Sequence, residues 1–230
     1  MTADELARAV VVDFPLRGEW TAYNTPGHSI PSHGTDMLAQ RYAYDLVRGD
    51  GRPGLHLHPG GTLREWTLGV RTAVIYGWGQ PVHAALDGEV LAASDGMAEH
   101  EWLHPIREVA GVLWTGVTYN PVKHGFGPVA GNHVLTRTGD VFAAYAHLVP
   151  GSVAVKVGDT IRTGDMIGRV GHSGNSTAPH LHFQLMDGPD PVTAAGLPAS
   201  FRALEVRRDG AWQRESGVIP GRTDRVRWVA

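Results

Sequence analysis

The stretch Pro179-His180-Leu181-His182-Phe183-Gln184-Leu185 alternates its side chains with a period of two. That period belongs to a strand with one face in a core. Leu181, Phe183 and Leu185 then point inward, while His180 and His182 share the other face. Two imidazoles converge on one spot. The preceding Gly171-His172-Ser173-Gly174-Asn175-Ser176-Thr177-Ala178 is built of turn formers and reads as the loop that delivers the chain to this strand. A His-x-His pair on a strand suits two nitrogens on one zinc ion, or one on the ion and one on a substrate.

Short strands of the same kind recur along the chain. They are read at residues 10–15, 18–23, 40–47, 132–137 and 141–148, and as two strands within 79–93 joined at Asp87-Gly88. In this reading Asp45 shares a strand face with Ala43 and Arg41, and His147 shares one with Tyr145. Glycines space short apolar pairs through 157–171, and a last hairpin runs through 201–206, Asp209-Gly210 and 212–214. The only helix expected is a short one near 101–114. The sum predicts a mainly all-β chain, an antiparallel sheet or sandwich. The 230 residues are expected to form a single domain, 1–230, with surface insertions at about 48–77 and 94–128 and a hairpin extension at about 197–230. His56-Leu57-His58, followed by Pro59-Gly60-Gly61, reads as loop.

Composition narrows the chemistry. There is no cysteine, which removes disulfides, thiolate catalysis and Cys-type zinc sites and leaves His, Asp and Glu as metal ligands. Thirteen histidines are the one anomaly. A net charge of −3 with scattered basic residues gives no sign of a nucleic-acid partner. No stretch is long and apolar enough to insert in a membrane, and the acidic Asp4-Glu5 start lacks the pattern of a secretory signal, so a cytoplasmic location, or export by another route, is the expectation. Nothing in the sequence sets an oligomeric state. Asp45, inside an apolar strand, needs a partner: a salt bridge, a turn bond or a metal ion.

Gly79-Gln80-Pro81-Val82, Asp87-Gly88-Glu89-Val90, Gly131-Asn132-His133-Val134, Tyr145-Ala146-His147-Leu148, Val157-Gly158-Asp159 and His180-Leu181-His182-Phe183 follow one another in this order. In that order they resemble the lysostaphin/LytM-type zinc metallopeptidases, which cut peptide cross-links of bacterial peptidoglycan. The resemblance implies a β-sheet with a groove across it, one Zn2+ per chain and a peptide or peptidoglycan substrate. By position, it makes His182 and Asp45 metal ligands, and His147 and His180 the non-ligand pair that handles water and the developing oxyanion. The common form carries His-x-x-x-Asp, but Arg41 stands four residues before Asp45 and cannot bind a metal. His33 is the upstream substitute and His28 its competitor; Asp36 stands three residues after His33, one short of the literal motif. Asn175, Ser176 and His133 are expected at the substrate groove, whereas His83, His100, His104, His124 and His172 read as packing or surface residues. The implied activity is a zinc metalloendopeptidase. The rival is a non-catalytic scaffold of the same fold that binds or activates another hydrolase.

Overall fold

A computed structural model describes residues 3–52, 54–60 and 68–229; the remainder of the expected 48–77 insertion, residues 53 and 61–67, lies outside the described residues. Strands β1 (Val10–Val12), β2 (Glu19–Asn24) and β3 (Tyr44–Val47) open the chain, followed by β4 (Val70–Arg71), β5 (Pro81–His83), β6 (Gly88–Ser94) and β7 (Trp102–Leu103). Then come β8 (Asn132–Thr138), β9 (Val141–Leu148), β10 (Thr160–Ile161), β11 (Met166–Arg169) and β12 (Leu181–Met186). The chain ends with β13 (Gly196–Leu197), β14 (Ala199–Arg208), β15 (Ala211–Val218) and β16 (Arg225–Trp228). Among the fully described segments the helices are few: α1 (Ala3–Ala7), α2 (Pro105–Thr118), α3 (Pro121–His124) and α4 (Gly127–Ala130). The molecule is mainly β, as the alternation predicts.

A 12-stranded sheet runs in the order β1-β14-β16-β2-β3-β12-β9-β8-β6-β10, with β13 beside β12 and β15 beside β14. Strand β12 is its hub, with all six residues buried. On one side His182 lies opposite Asp45 of β3, and on the other opposite Ala146 of β9. Beneath it Leu181, Phe183 and Leu185 join Tyr44, Tyr145 and Phe201 in the main core. Each such side chain contributes about 1.5–3 kcal/mol by leaving water. Both tyrosines keep a polar partner in this apolar setting: the Tyr44 hydroxyl donates to Ala199 O and that of Tyr145 accepts from Ala85 N. Above β12 a smaller cluster, including Leu38, Phe126, Ala144, Ala146 and Met186, floors a groove.

Four expectations need correcting. Residues 40–43 are not strand: a tight 3-10 segment spans Met37–Tyr42, with Leu38 and Ala39 at φ 56 and 59, and β3 starts only at Tyr44. Tertiary bonds hold that turn against the alternating pattern, since Arg41 reaches Asp36 and the Tyr42 hydroxyl donates to Glu5. Strands β5 and β6 do not pair with each other; β5 pairs with β11, while β6 lies between β8 and β10. Asp87 instead accepts from Thr163, so the Asp-Gly step crosses between sheets rather than closing a hairpin. The helix near 101–114 starts later, because Trp102 and Leu103 pair with β4 and Pro105 occupies the first helical turn, where its missing N–H costs nothing. His147 does not share a face with Tyr145. Asn132 lies opposite Leu148 but Val134 opposite Tyr145, so Ala146 and His147 together face His133 in a bulge, with His147 at φ 64. Tyr145 and Leu148 therefore both stay in the core while His147 turns to the groove.

Candidate metal centre

The ladder sets the first contact of the site. Because Asp45 and His182 are register partners, their side chains rise from the same face of the sheet, and His182 Nδ1 lies 3.0 Å from Asp45 Oδ1. The segment before β3 folds back over them and brings His33 Nε2 to 2.9 Å from Asp45 Oδ2. His180 Nε2 stands 3.3 Å from Asp45 Oδ1. His147 closes the group from β9, its ring 4.6 Å from that of His180 and 5.9 Å from that of His182. His33, Asp45 and His182 hold donor atoms close enough for one ion, as do His147, His180 and His182. His28 lies exposed on a turn and joins neither, and Asp36 is paired with Arg41.

Each imidazole is fixed by its far nitrogen. His147 Nδ1 donates to Ser173 O at 2.9 Å and His180 Nδ1 to Ala178 O at 2.7 Å, so both turn Nε2 toward the groove. Gln184 donates its amide to Leu38 O, which leaves Oε1 to accept from His182 Nε2 at 2.8 Å. The Ser32 hydroxyl donates to Gln40 O and accepts from His33 Nδ1 at 3.0 Å. Gln184 and Ser32 were missed in the sequence. Gln184 carries a signal, since it lies two residues beyond His182 and so on the same face; Ser32 carries none. Asn24, brought opposite Asp45 by a bulge in β2, donates to Asp45 Oδ2 at 2.6 Å.

Electrostatics follows from this packing. Burial alone would raise the Asp45 carboxyl, but His33, His180 and His182 hold it well below the usual range. Burial, with His180 and His182 alongside, pushes the His147 imidazole well down. For His180 burial pulls downward too, and Asp45 together with the Ala178 carbonyl overcomes it, raising the ring. A groove of about 240 Å³ opens above these groups, lined on its far side by Thr115, Gly116 and Tyr119 from α2 and the turn after it. Asn175 lines that groove; Ser176 stands behind it, its hydroxyl 3.2 Å from His180 Nδ1, and His133 lies outside the lining with its ring against Phe126.

Residues 68–194, more than half of the chain, match the family described as "Peptidase family M23". The chain belongs to this family. Similar curated proteins include the glycyl-glycine endopeptidase ALE-1 of Staphylococcus capitis, 55% identical over 57 residues, covering 25% of this chain and 15% of that protein. A DD-carboxypeptidase/endopeptidase, Mpg, of Neisseria meningitidis is 28% identical over 179 residues, 72% of this chain and 33% of its own. This chain thus spans a third or less of those relatives. Among solved structures, the catalytic domain of lysostaphin from Staphylococcus simulans aligns with 85% of this chain and 93% of its own at 20% identity, with a TM-score of 0.39. The M23 match contains His147, His180 and His182 and begins after His33 and Asp45, which the fold brings to the same site.

The residues present fit the divalent ion that M23 peptidases use. With Nε2–H committed to Gln184, a neutral His182 directs its Nδ1 lone pair at a carboxylate oxygen. With Nδ1–H committed to Ser32, His33 does the same from the other side. Lone pairs facing a carboxylate in this way are relieved either by a cation lying among them or by a second proton on each ring. Two imidazoles and a carboxylate form a donor set of the kind found in three-ligand catalytic zinc sites, and the far-nitrogen bonds to Gln184 and Ser32 are the outer supports such ligands need.

Proposed function

We propose that the chain is a zinc-dependent endopeptidase that cleaves peptide bonds in the cross-link peptides of bacterial peptidoglycan. One observation carries this: Asp45 is bracketed by His33 and His182 on the floor of a groove into which His147 and His180 both present Nε2. The names of the relatives, endopeptidases of glycyl-glycine and DD bonds, support the substrate class.

In this reading His33, Asp45 and His182 hold the ion. Bound there, zinc supplies a Lewis acid that polarises the scissile carbonyl and lowers the pKa of water. The chain's own part is proton transfer and charge. His147 and His180, each with Nδ1–H tied to a backbone carbonyl, are left with Nε2 to take a proton from water, pass it to the leaving amine, or donate to the developing oxyanion. The ladder of β9 and β12 fixes where those nitrogens stand. Burial of the floor keeps bulk water from screening them.

The test is to incubate the zinc-loaded chain with purified peptidoglycan and analyse the released fragments by mass spectrometry. New peptide amino termini that vanish with a chelator and return with zinc are the expected result. Intact cross-links after full zinc loading would favour the scaffold instead.

A further inference from the structure

A second group of metal-binding side chains lies beside the first. His100, Glu108 and His172 each bring one donor atom within 4.8 Å of the others. His100 belongs to the segment before α2, Glu108 to the first turns of that helix, and His172 to the loop that leads into β12. His100 Nδ1 lies 3.1 Å from Glu108 Oε2, and the rings of His100 and His172 stand 5.1 Å apart, edge to face. Below them a cavity of about 330 Å³ is lined by His100, Glu108, Asn175 and Ser176 among others.

His172 supplies the independent observation. Its side chain is fully buried, at 0% exposure, and among the described residues its Nε2 has no hydrogen-bond partner. Its Nδ1 lies 2.9 Å from Ser176 Oγ, and the Ser176 hydroxyl proton is spent on Ala178 O. Nδ1 must therefore be the donor, which leaves Nε2 unprotonated with a bare lone pair. A buried acceptor left unmatched costs about 1–3 kcal/mol, so it calls for an occupant such as an ion or a water. Glu99 does not supply the missing bond: its Oε2 accepts from the His172 backbone N–H and its Oε1 from Trp78 Nε1.

We propose that His100, Glu108 and His172 form a second divalent-metal site, separate from the Asp45 centre and suited by its donors to zinc. Two imidazoles and one carboxylate match the preference of that ion. Ligand bonds of about 2.1 Å require donors roughly 3.4 Å apart, so closure asks only about an ångström of side-chain movement. An ion there ties α2, which walls the groove through Thr115 and Gly116, to the loop carrying Asn175 and Ser176. Through Ser176 it also touches the support of His180. A trapped water on His172 Nε2 is the rival occupant.

The experiment is elemental analysis of the chain after loading with excess zinc and gel filtration. The unaltered protein should carry about two ions per chain, falling to about one in His100→Ala and in Glu108→Gln. Both positions are at the margin of the core, so these variants keep the fold, and circular dichroism checks it. Asp45→Ala should also retain about one ion, now lost on adding His100→Ala. The site is overturned if the unaltered chain binds a single ion that His100→Ala leaves in place, or if two ions survive both flank variants. The outcome for Asp45→Ala reads the first centre separately, so failure of one assignment leaves the other standing or falling on its own data.

Discussion

The two walls of the groove hold their imidazoles by different means. On the sheet side, His147, His180 and His182 rise from or beside buried strands whose hydrogen-bond ladders fix the backbone, and a far nitrogen bonded to a nearby carbonyl or amide sets each ring. On the loop side, His33 comes from an irregular segment with two residues in the left-handed region. It stays in place through side-chain bonds, chiefly Ser32 to Gln40 and the Leu38 carbonyl to Gln184. Gln184 joins both walls. A position fixed by a ladder costs several hydrogen bonds to move, and one fixed by a few polar contacts costs little more than those contacts. The sheet side is therefore expected to govern turnover and the loop side to tune how tightly the ion is held.

The largest effect comes from removing what the walls share. Asp45→Ala should eliminate peptidase activity and the Asp45-centre ion together, and metal analysis beside a cleavage assay checks both. Next come the sheet-side histidines that hold no metal. His147→Ala and His180→Ala should each lower kcat by about 10²–10⁴-fold with the ion retained. If either variant keeps full turnover, the sheet wall is not where the chemistry lies. If either loses the ion instead, that histidine is a ligand, and the triad of His147, His180 and His182 becomes the better description of the centre.

The same division explains what was legible in the sequence. Period two placed His180 and His182 on one face because β12 is regular from end to end. It failed for His147, where a bulge inserts one extra residue and turns the ring across the sheet, and no local signal marks that bulge. It failed also at 40–43, where contacts of Arg41 with Asp36 and of Tyr42 with Glu5 outweigh strand propensity. His33 was nameable only as the nearest upstream histidine, since a loop ligand has no period to betray it. His172 looked like a loop residue, and only its complete burial with an unmatched nitrogen sets it apart.

Two milder changes sharpen the contrast. Gln184→Leu keeps the volume of the side chain roughly constant but strips His182 Nε2 and Leu38 O of their partner at once. Loss of such an outer support should weaken zinc binding at the Asp45 centre by about 10–100-fold, measured by competition with a chromogenic chelator.

Ser32→Ala is expected to do less. It removes the hydroxyl that anchors His33 Nδ1 and grips Gln40 O, yet the backbone bond from Ser32 N to Arg41 O remains and His33 Nε2 still meets Asp45. Freed at Nδ1, the ring samples other tautomers and rotations, and the ion is lost more readily by up to about tenfold. Because His147 and His180 are untouched, kcat at saturating zinc should stay near that of the unaltered chain. A fall in kcat that excess zinc does not restore would mean that the loop side also takes part in the chemical step.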